Sequence, residues 1–499
     1  MKYDVIIGLE IHAELKTKSK MFCSCNNNSE GAKPNINTCP ICLGHPGTLP
    51  VANEQAINWT ILTGLALNCK INELSKFDRK NYFYPDLPKG YQISQYDLPL
   101  VYDGCLEING DKIKITRIHL EEDTGKLTHA KNHSLADYNR AGTPLMEMVT
   151  EPVIKDAETA KKFCQRYQQI LRYLDISDAD MEKGQMRCEA NISVQEKGKW
   201  KYKGDCEIKS IGDYKLNPKV EVKNINSFKA VEKAIDYEIK RQINAIENNE
   251  KLIQETRGWN ENTAKTVSQR VKETSADYRY FPEPDIPPLK IDSKKIEKIK
   301  SQLIELPTEK KKRFIEQYDF NDETAEILVS DKNLADYAEH VISELREWIN
   351  SSGDSWERQK KKLAKISSNW LISELFKHLK ADKISIKDLK ITAENFAELI
   401  TLVYQGKINS SAGQTVLEEM YKKGGDPTSI MQNLGLEQID DTAELEKIIK
   451  KIIDKNESQV EEYKSGKINV LQFFVGQTMA TTKGKANPKI VAEILKKLM

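Results

Sequence analysis

The sequence predicts an α+β protein with a strand-rich first part and an all-α second part. Up to about residue 290, short segments alternate apolar and polar residues, which is typical of an antiparallel sheet with one solvated face. Residues 277–288 then carry four prolines, and because proline lacks a backbone donor and restricts its neighbour, no helix continues through them. The segments that follow, up to Met499, are Lys-rich and helix-forming. We therefore place the main domain boundary just after the prolines.

Composition limits the classes of protein that fit the chain. Its 499 residues exceed the size at which a single core stops growing, so two or three domains are expected. A hydrophobic content of 39% and a mean hydropathy of −0.60 indicate a soluble globular protein, and no apolar run approaches the ~20 residues of a membrane-spanning helix. Residues 1–8 have the pattern of a strand rather than of a secretory leader, so we expect a cytoplasmic protein without a membrane partner.

The charges of the chain nearly cancel, with 76 Lys and Arg residues against 75 Asp and Glu residues. A nucleic acid would therefore have to be held by local basic patches rather than by the field of the whole molecule. The basic segments 290–313 and 357–365 are candidates for phosphate contact, although lysines on helix surfaces also serve solubility alone.

Two helices of the first part are predicted from their apolar spacing. Residues 156–174 place apolar side chains three and four residues apart behind Asp156, a candidate N-cap. A second helix, running to about residue 247, follows the candidate N-cap Ser227. Each apolar stripe predicts a buried helix face, and therefore core rather than a functional site.

Three segments carry acids on the polar face of a predicted strand. Because successive side chains of a strand point to opposite faces, Glu10 and His12 share one face while Leu9 and Ile11 point to the other. The same alternation recurs in two later segments. It places Arg187, Glu189, Asn191 and Ser193 on the polar face of one strand, and Glu221 and Lys223 on the polar face of another.

If these strands belong to one antiparallel sheet, their polar face suits Mg²⁺ and a polyphosphate. Carboxylates bind the hard cation, and Lys and Arg neutralise phosphate oxygens. The consecutive acids 121–123 and the carboxylate of Glu147 join this set. Because neither a G-x-x-x-x-G-K-[ST] nor a G-x-G-x-x-G loop occurs, an ATP site would have to be built on the sheet. For each strand alone, a solvated face without function stays an open alternative.

Four of the nine cysteines are clustered, as Cys23 and Cys25 and, after thirteen further residues, Cys39 and Cys42. This spacing can close a tetrahedral Zn²⁺ site, and because four thiolates leave no coordination position open, the predicted role of zinc is structural. Nothing in the sequence indicates secretion, which favours metal binding over disulfides. Four free thiols are the alternative.

Motifs along the chain resemble the B subunits of glutamyl/aspartyl-tRNA amidotransferases. In the first part they are IGLEIHAEL (7–15), SKFDRKNYFYPD (75–86), YQISQ (91–95), HLEED (119–123), NRAGTPL (139–145), MRCEAN (186–191) and DYRYFPEPD (277–285). In the tail, GKINSSA (406–412), GQTM (476–479) and GKANP (484–488) look like the YqeY-like region of that family. The likeness covers essentially the whole chain.

The resemblance implies a catalytic domain called the cradle at 1–291, with a glutamine-synthetase-like core and the cysteine knuckle at 23–42. A helical domain (292–402) and a helical tail that contacts tRNA (403–499) would follow, with the YqeY-like region at about 350–499. The chain would be a ligase subunit in a heterotrimer with an amidase (A) subunit and a small C subunit. ATP would phosphorylate the side-chain carboxylate of Glu-tRNA(Gln) or Asp-tRNA(Asn), and ammonia from glutamine would displace the phosphate.

The resemblance also implies roles for individual residues. Catalytic roles fall to Glu10, His12, Glu147 and Glu189. Binding of Mg²⁺ falls to Glu10, His12, Glu121, Glu122 and Glu147, with the choice between Glu121 and Glu122 left open. The polar faces of the predicted strands, together with the resemblance, assign ATP binding to Arg187, Asn191, Glu221 and Lys223.

Two functions of other classes compete with this interpretation. The first is a non-catalytic, zinc-containing tRNA-binding subunit, and the acids patterned on three strands argue against it. The second is a free-standing ATP-dependent amide ligase that acts on a small amino acid. The large basic helical half argues for a macromolecular substrate instead.

Overall fold

The computed structural model of the protein describes residues 2–204, 206–271, 278–437, 442–482 and 485–499. Asp277 and Gly484, which begin two of the motifs, lie outside these residues. The chain divides into two compact units, Met1–Leu306 and Pro307–Met499. A large, mostly antiparallel sheet with helices fills the first unit and helices fill the second, so the predicted α+β class is confirmed in its main lines.

The strands of the described residues all lie in the first unit. They are β1 (Tyr3–Glu14), β2 (Lys70–Ile71), β3 (Leu74–Ser75), β4 (Asp78–Asn81), β5 (Tyr91–Ser94), β6 (Val101–Ile108), β7 (Asp111–Glu122), β8 (Lys126–His129), β9 (Ser134–Asp137), β10 (Pro144–Thr150), β11 (Met186–Glu196), β12 (Trp200–Lys203), β13 (Glu207–Ser210), β14 (Val220–Ile225), β15 (Glu255–Asn260), β16 (Lys265–Val271), β17 (Phe281–Pro282) and β18 (Leu289–Lys290). The helices of this unit are α1 (Glu54–Ala66), α2 (Ala157–Tyr173), α3 (Phe228–Glu247) and α4 (Ser293–Lys300).

Within the described residues, nine strands form the large sheet, in the order β16-β15-β14-β11-β1-β10-β7-β6-β2. β14 and β15 run parallel, and the other neighbouring strands run antiparallel. The central strand β1 pairs with β10 on one side and with β11 on the other. Segments far apart in sequence are therefore brought side by side at the middle of the sheet.

The alternation read from the sequence is confirmed in β1, β11 and β14. Their inward side chains are buried, namely Leu9, Ile11, Ala13, Cys188, Ala190, Ile192, Val194, Val220 and Val222. The predicted helices α2 and α3 are confirmed as well, with Asp156 and Ser227 as N-caps that accept from the backbone N–H groups of Thr159 and Ala230. Their apolar stripes share one core with the inward strand residues, which leaves the opposite face of the sheet to the polar side chains.

One smaller sheet bears on the polar face of the large sheet. β17, β4 and β5 form a three-stranded sheet that brings the segments 75–95 and 278–285 together. It is fastened to β7, because the side-chain amide of Gln95 accepts a hydrogen bond from the backbone N–H of Leu120 at 3.0 Å. The other short pairs are β18 with β3, β8 with β9 and β12 with β13.

The boundary between the units lies fifteen residues after the one that we placed at 291. The reason is α4, which contacts α1 and buries Ile299 in the core of the first unit. Its residues continue the first unit although their composition resembles that of the helical half.

The second unit is helical in every element that the structure describes. Its helices are α5 (Pro307–Tyr318), α6 (Asp322–Leu328), α7 (Lys332–Ser351), α8 (Trp356–Asn369), α9 (Phe376–Asp382), α10 (Ala393–Tyr404), α11 (Ser410–Lys423), α12 (Pro427–Asn433), α13 (Thr442–Asp454), α14 (Glu457–Lys464), α15 (Val470–Thr481) and α16 (Pro488–Leu498), with a π-helical turn at Trp370–Leu375 and a 3₁₀ turn at Ile386–Asp388. None of the described helices combines the length and the apolar character needed to cross a membrane.

The second unit contains two apolar cores within its described residues. The first contains buried residues from Phe314 to Met431, and the second contains buried residues from Leu445 to Leu495. The expected boundary at 402/403 falls between α10 and α11, whose apolar residues share the first core. The change of core comes after α12.

Candidate active site

Six acidic or imidazole side chains converge on the polar face of the large sheet. They form two adjacent groups, and in each the potential ligand atoms lie within 4.8 Å of one another. The histidine group consists of His12, Glu121 and Glu147, and the carboxylate group consists of Glu10, Glu189 and Glu221.

Strand register explains why these side chains meet. His12 lies directly opposite Glu147 across β1 and β10, and Glu10 lies opposite Glu189 across β1 and β11. Directly opposed residues of neighbouring strands have Cβ atoms only about 5 Å apart. Glu221 of β14 lies directly opposite Asn191 of β11. Because Asn191 is two residues after Glu189, Glu221 lies on the same face as Glu189 and close to it.

The histidine group is a compact, largely buried network. His12 Nε2 lies 3.3 Å from an oxygen of Glu147 and 3.6 Å from an oxygen of Glu121. Burial alone would lower the pKa of His12, but the charge and the hydrogen bond of Glu147 outweigh it and raise the pKa to about 9. Burial in turn favours the neutral form of Glu147, yet the two neighbouring imidazoles hold the pKa of its carboxyl well below the usual range.

His119 is a member of this network that our sequence analysis did not assign to the site. Its Nε2 lies 3.3 Å from the same oxygen of Glu147 that contacts His12. The Nδ1 atoms of both histidines are buried and lack a hydrogen-bond partner among the described residues. The alternation of β7 could have revealed this position, since His119 is two residues before Glu121 and therefore shares its face.

The carboxylate group is bridged by an ammonium. Lys223 Nζ lies 2.7 Å from Glu189 and 3.2 Å from Glu221. Asn191 donates to Glu10 at 2.9 Å, and Thr256 donates to Glu221 at 2.8 Å. Burial, followed by the charges of the surrounding glutamates, raises the pKa of Glu10 above its ordinary value. The two groups therefore interact electrostatically, because Glu147 of the histidine group is among those charges.

Glu122 does not join either group. As the neighbour of Glu121 in β7, it points to the other face, where it accepts from the backbone N–H of Ile93 at 3.0 Å and pairs with Lys89. The geometry thus separates the two glutamates between which the sequence left the choice open.

Arg187 lies on the expected face but is engaged with other groups. Its guanidinium pairs with the buried carboxylate of Asp123 and lies 3.5 Å from Glu14. Arg140 approaches the same oxygen of Asp123 at 3.4 Å. Asp123 therefore pairs with two guanidinium groups, those of Arg140 and Arg187, beside the histidine group.

Lys80, on the small sheet, is a second residue that sequence reasoning missed. Burial opposes its charge, but the carboxylates of Glu121 and Glu147 are near enough to raise the pKa of Lys80 above the usual range. Its Nζ lies 5.0 Å from the centre of the Tyr278 ring. No pattern in the sequence announces this position, since β4 belongs to a different sheet.

The donor set of each acidic group fits a hard divalent cation. Ligands of one octahedral Mg²⁺ lie about 2.1 Å from the ion and hence roughly 3–4 Å from one another. The 4.8 Å limit within each group is compatible with that spacing after small side-chain adjustments. Carboxylate oxygens, which dominate both groups, are the ligands that Mg²⁺ prefers.

The four clustered cysteines form a third ligand group, separate from the acids. Their sulfur atoms lie within 4.8 Å of one another, and Cys39 Sγ and Cys42 Sγ are 3.9 Å apart. Thiolates bound to one tetrahedral Zn²⁺ at about 2.3 Å would lie about 3.8 Å apart. The arrangement therefore fits zinc.

A buried lysine supports thiolate character in this cluster. Lys20 is only 1% exposed, and its Nζ donates to the carbonyl of Asn37 at 2.7 Å and lies 3.9 Å from Cys42 Sγ. A hydrogen bond with Cys23, and further the charge of Lys20, lower the pKa of Cys42 to about 5. Gly142 adopts a positive φ of 87° beside Lys20 and Cys42, where the NRAGTPL motif turns into β10. The cluster is thus packed against the loop that precedes Glu147.

Known proteins resemble this chain over its whole length. The family described as GatB/GatE catalytic domain matches residues 5–297, and the family described as GatB domain matches residues 354–499. Two proteins named as the B subunit of aspartyl/glutamyl-tRNA(Asn/Gln) amidotransferase, from Thermodesulfovibrio yellowstonii and Persephonella marina, are 46% and 44% identical to the chain, each over 100% of both proteins. The protein of the same name from Thermotoga petrophila is 44% identical over 100% of this chain and 99% of the relative. The chain therefore belongs to the family of aspartyl/glutamyl-tRNA(Asn/Gln) amidotransferase B subunits.

Proposed function

We propose that this chain uses ATP to phosphorylate the side-chain carboxylate of Glu-tRNA(Gln) or Asp-tRNA(Asn) and then amidates it with ammonia from a partner subunit. The observation that carries this proposal is the convergence of ligand side chains from five neighbouring strands into two groups on one sheet face. Isolated charges on a solvated sheet face would not need to meet within 4.8 Å.

The proposed reaction has two steps. A carboxylate oxygen attacks the γ-phosphorus of ATP, the bond to the β-phosphate oxygen breaks, and an acyl phosphate and ADP form. Ammonia then attacks the acyl carbon, phosphate leaves, and the nitrogen loses a proton to give the amide. Phosphoryl transfer of this kind depends on positioning and charge neutralisation rather than on a protein nucleophile.

The residues of the polar face divide this task. Mg²⁺, held by the carboxylates of either group, would neutralise phosphate oxygens. Lys223, which bridges two glutamates, is placed to share that neutralisation, and Asn191 orients Glu10 through the bond at 2.9 Å. Arg187 acts at the edge of the site, since Asp123 already holds part of its guanidinium.

Zinc at Cys23, Cys25, Cys39 and Cys42 would be structural. The four sulfurs complete a tetrahedral shell and leave no open position for a substrate. The knuckle instead supports the end of β9 and the loop that follows it. Asn35 donates to the carbonyl of Ala136 at 3.0 Å, and Asn139 donates to the carbonyl of Lys33 at 2.7 Å.

Partners complete the proposal. The relatives are named as B subunits, which supports assembly with an amidase (A) subunit as the ammonia source and with a small C subunit. The helical unit, which includes the segment matched by the GatB domain, would contact tRNA. We place the complex in the cytoplasm, where aminoacyl-tRNA is used, and we regard the large sheet as a glutamine-synthetase-like core.

The decisive experiment incubates the chain, with and without its amidase and small subunits, with ATP, glutamine and each misacylated tRNA. Formation of Gln-tRNA(Gln) or Asn-tRNA(Asn) that requires ATP and the partners is the expected result. Tight tRNA binding without ATP-dependent product would favour a non-catalytic tRNA-binding subunit. Amidation of free glutamate with ammonium by the chain alone would favour a free-standing ligase.

A further inference from the structure

Two tyrosines from distant segments stack at the surface of the small three-stranded sheet. The rings of Tyr96 and Tyr280 are 4.3 Å apart at an interplanar angle of 11°. Tyr96 is the outer ring and is 59% exposed. An exposed aromatic ring such as Tyr96, stacked on a second ring, is well suited to stacking with a nucleobase, because every base has a π-face.

The outer ring is held in place by its neighbours in the chain. The backbone N–H of Tyr96 donates to Asp78 at 3.0 Å, and the carboxylate of Asp78 is buried. The preceding Gln95 is also buried, and its amide bonds to Ser75 at 2.7 Å and to the backbone of Leu120 at 3.0 Å. Because these bonds fix the backbone before any ligand arrives, a base stacked on Tyr96 would lose little free energy to ordering.

The same segment reaches the histidine group. Ser94, two residues before Tyr96, lies with its hydroxyl 3.2 Å from a carboxylate oxygen of Glu121. Because two residues span at most about 7 Å, the Cα atom of Tyr96 lies within about 7 Å of that of Ser94. This separation is comparable to the distance that a nucleoside spans between its base and the groups on its sugar.

The inner ring is close enough to the acids to interact with their charges. Burial and the charges of Glu121 and Glu147 outweigh the opposing effect of Lys80 and raise the pKa of Tyr280 to about 12. Tyr280 also meets Tyr278 edge to face, and Tyr278 lies under the ammonium of Lys80. A row of rings therefore leads from the solvent-exposed Tyr96 to the cation beside the histidine group.

We propose that the exposed face of Tyr96, supported by Tyr280, is a stacking platform for the adenine ring of an adenosine-containing substrate. The inference rests on the proposed function, in which two substrates carry adenosine: ATP, and the tRNA, whose 3′-terminal adenosine bears the amino acid. Either source would present adenine within reach of the acids while its phosphates or its aminoacyl group approach the metal ligands.

Steady-state kinetics of the assembled amidotransferase test the platform. KM for ATP is measured at saturating Glu-tRNA(Gln), and KM for Glu-tRNA(Gln) at saturating ATP, in the wild type and in Tyr96→Ala. Because one aromatic stacking partner contributes about 1–3 kcal/mol, we expect one KM to rise about 5- to 150-fold while kcat changes less. The KM that rises identifies ATP or the tRNA end as the source of the adenine.

Two variants control the measurement. Tyr96→Phe keeps the ring and should restore the wild-type KM to within about twofold, since stacking does not need the hydroxyl. Tyr102→Ala removes another exposed tyrosine, on β6 of the large sheet, and should leave both KM values unchanged.

The outcomes separate the platform from its alternatives. If both KM values in Tyr96→Ala stay within about twofold of the wild type, the platform is excluded, given the contribution of a stacked base. If Tyr96→Ala fails to co-elute with the amidase and small subunits, the stacking platform is also excluded, because the ring of Tyr96 would then contact a partner subunit rather than a base. A wild-type complex without ATP-dependent amidation would refute the proposed function itself, before any variant is compared.

Discussion

The acidic face of the sheet and the cysteine knuckle both present metal ligands, but they differ in what they leave open. The knuckle gathers four sulfurs within one short segment, and these are enough to complete a tetrahedral shell. Each acidic group gathers three ligands, so an octahedral ion there would keep positions for phosphate or carboxylate oxygens. A closed shell can stabilise a loop, whereas an open one can bind and exchange a substrate. We therefore propose a structural role for the thiolates and a catalytic role for the acids.

Replacement of Glu10 gives the largest expected effect. Glu10→Gln removes one of the three ligands of the carboxylate group, and we expect ATP-dependent amidation to fall at least about 100-fold, because charge stabilisation by a metal is worth several kcal/mol. The glutaminase activity of the partner should persist. Glu107→Gln, at an exposed carboxylate on the same sheet, is the matched control and should keep full activity. Retained amidation in Glu10→Gln would end the assignment of chemistry to this face.

The adjacent residues Glu121 and Glu122 allow the metal-binding role of the polar face to be tested with single substitutions. Only Glu121 belongs to a ligand group, while Glu122 faces Lys89 on the other side of the sheet. Glu121→Gln should therefore weaken Mg²⁺ binding about tenfold, and Glu122→Gln should leave it within about twofold. Isothermal titration of the purified protein with MgCl₂ measures both. Equal losses would contradict the division between the two faces.

The pH dependence of metal binding distinguishes the histidine group from the carboxylate group. Since the pKa of His12 is raised to about 9, its imidazole is protonated at neutral pH and must lose that proton to bind a metal. Mg²⁺ affinity at this group should therefore rise with pH up to about 9, by at most about tenfold per pH unit. Titration in two buffers of different ionisation enthalpy would detect the released proton. His12→Gln should abolish the release, and a pH-independent affinity in the wild type would exclude His12 as a ligand.

Removal of a knuckle thiolate should have the smallest effect on the reaction. Cys39→Ser should lower the zinc content from about one equivalent to nearly none and the melting temperature by roughly 5 °C, as a loss of about 2 kcal/mol would. Amidation per folded molecule should change less than about fivefold, or about 1 kcal/mol. Metal analysis, calorimetry and the amidation assay measure these effects, with Cys105→Ser as the control outside the cluster. If the purified wild type contained no zinc and had the same melting temperature as Cys39→Ser, the proposed structural role of zinc would be wrong.

The sequence by itself determined the features that depend on neighbours along the chain. A period of two placed Glu10 and His12 on the face opposite Leu9 and Ile11, and spacings of three and four placed α2 and α3 with their caps. The cysteine cluster was visible for the same reason, because its four ligands lie within twenty residues. The period of a strand is local, so it fixes which face a side chain takes.

Only the tertiary structure decided which polar side chains become neighbours. The order of β14, β11, β1, β10 and β7 divided the acids into two groups and placed Arg187 against Asp123. The packing of a separate small sheet brought Lys80 near the histidine group. The boundaries at 306 and after α12 likewise followed from shared cores rather than from composition. The physical reason is that strand neighbours are selected by burial of apolar surface between residues far apart in the chain, and no local period records that choice.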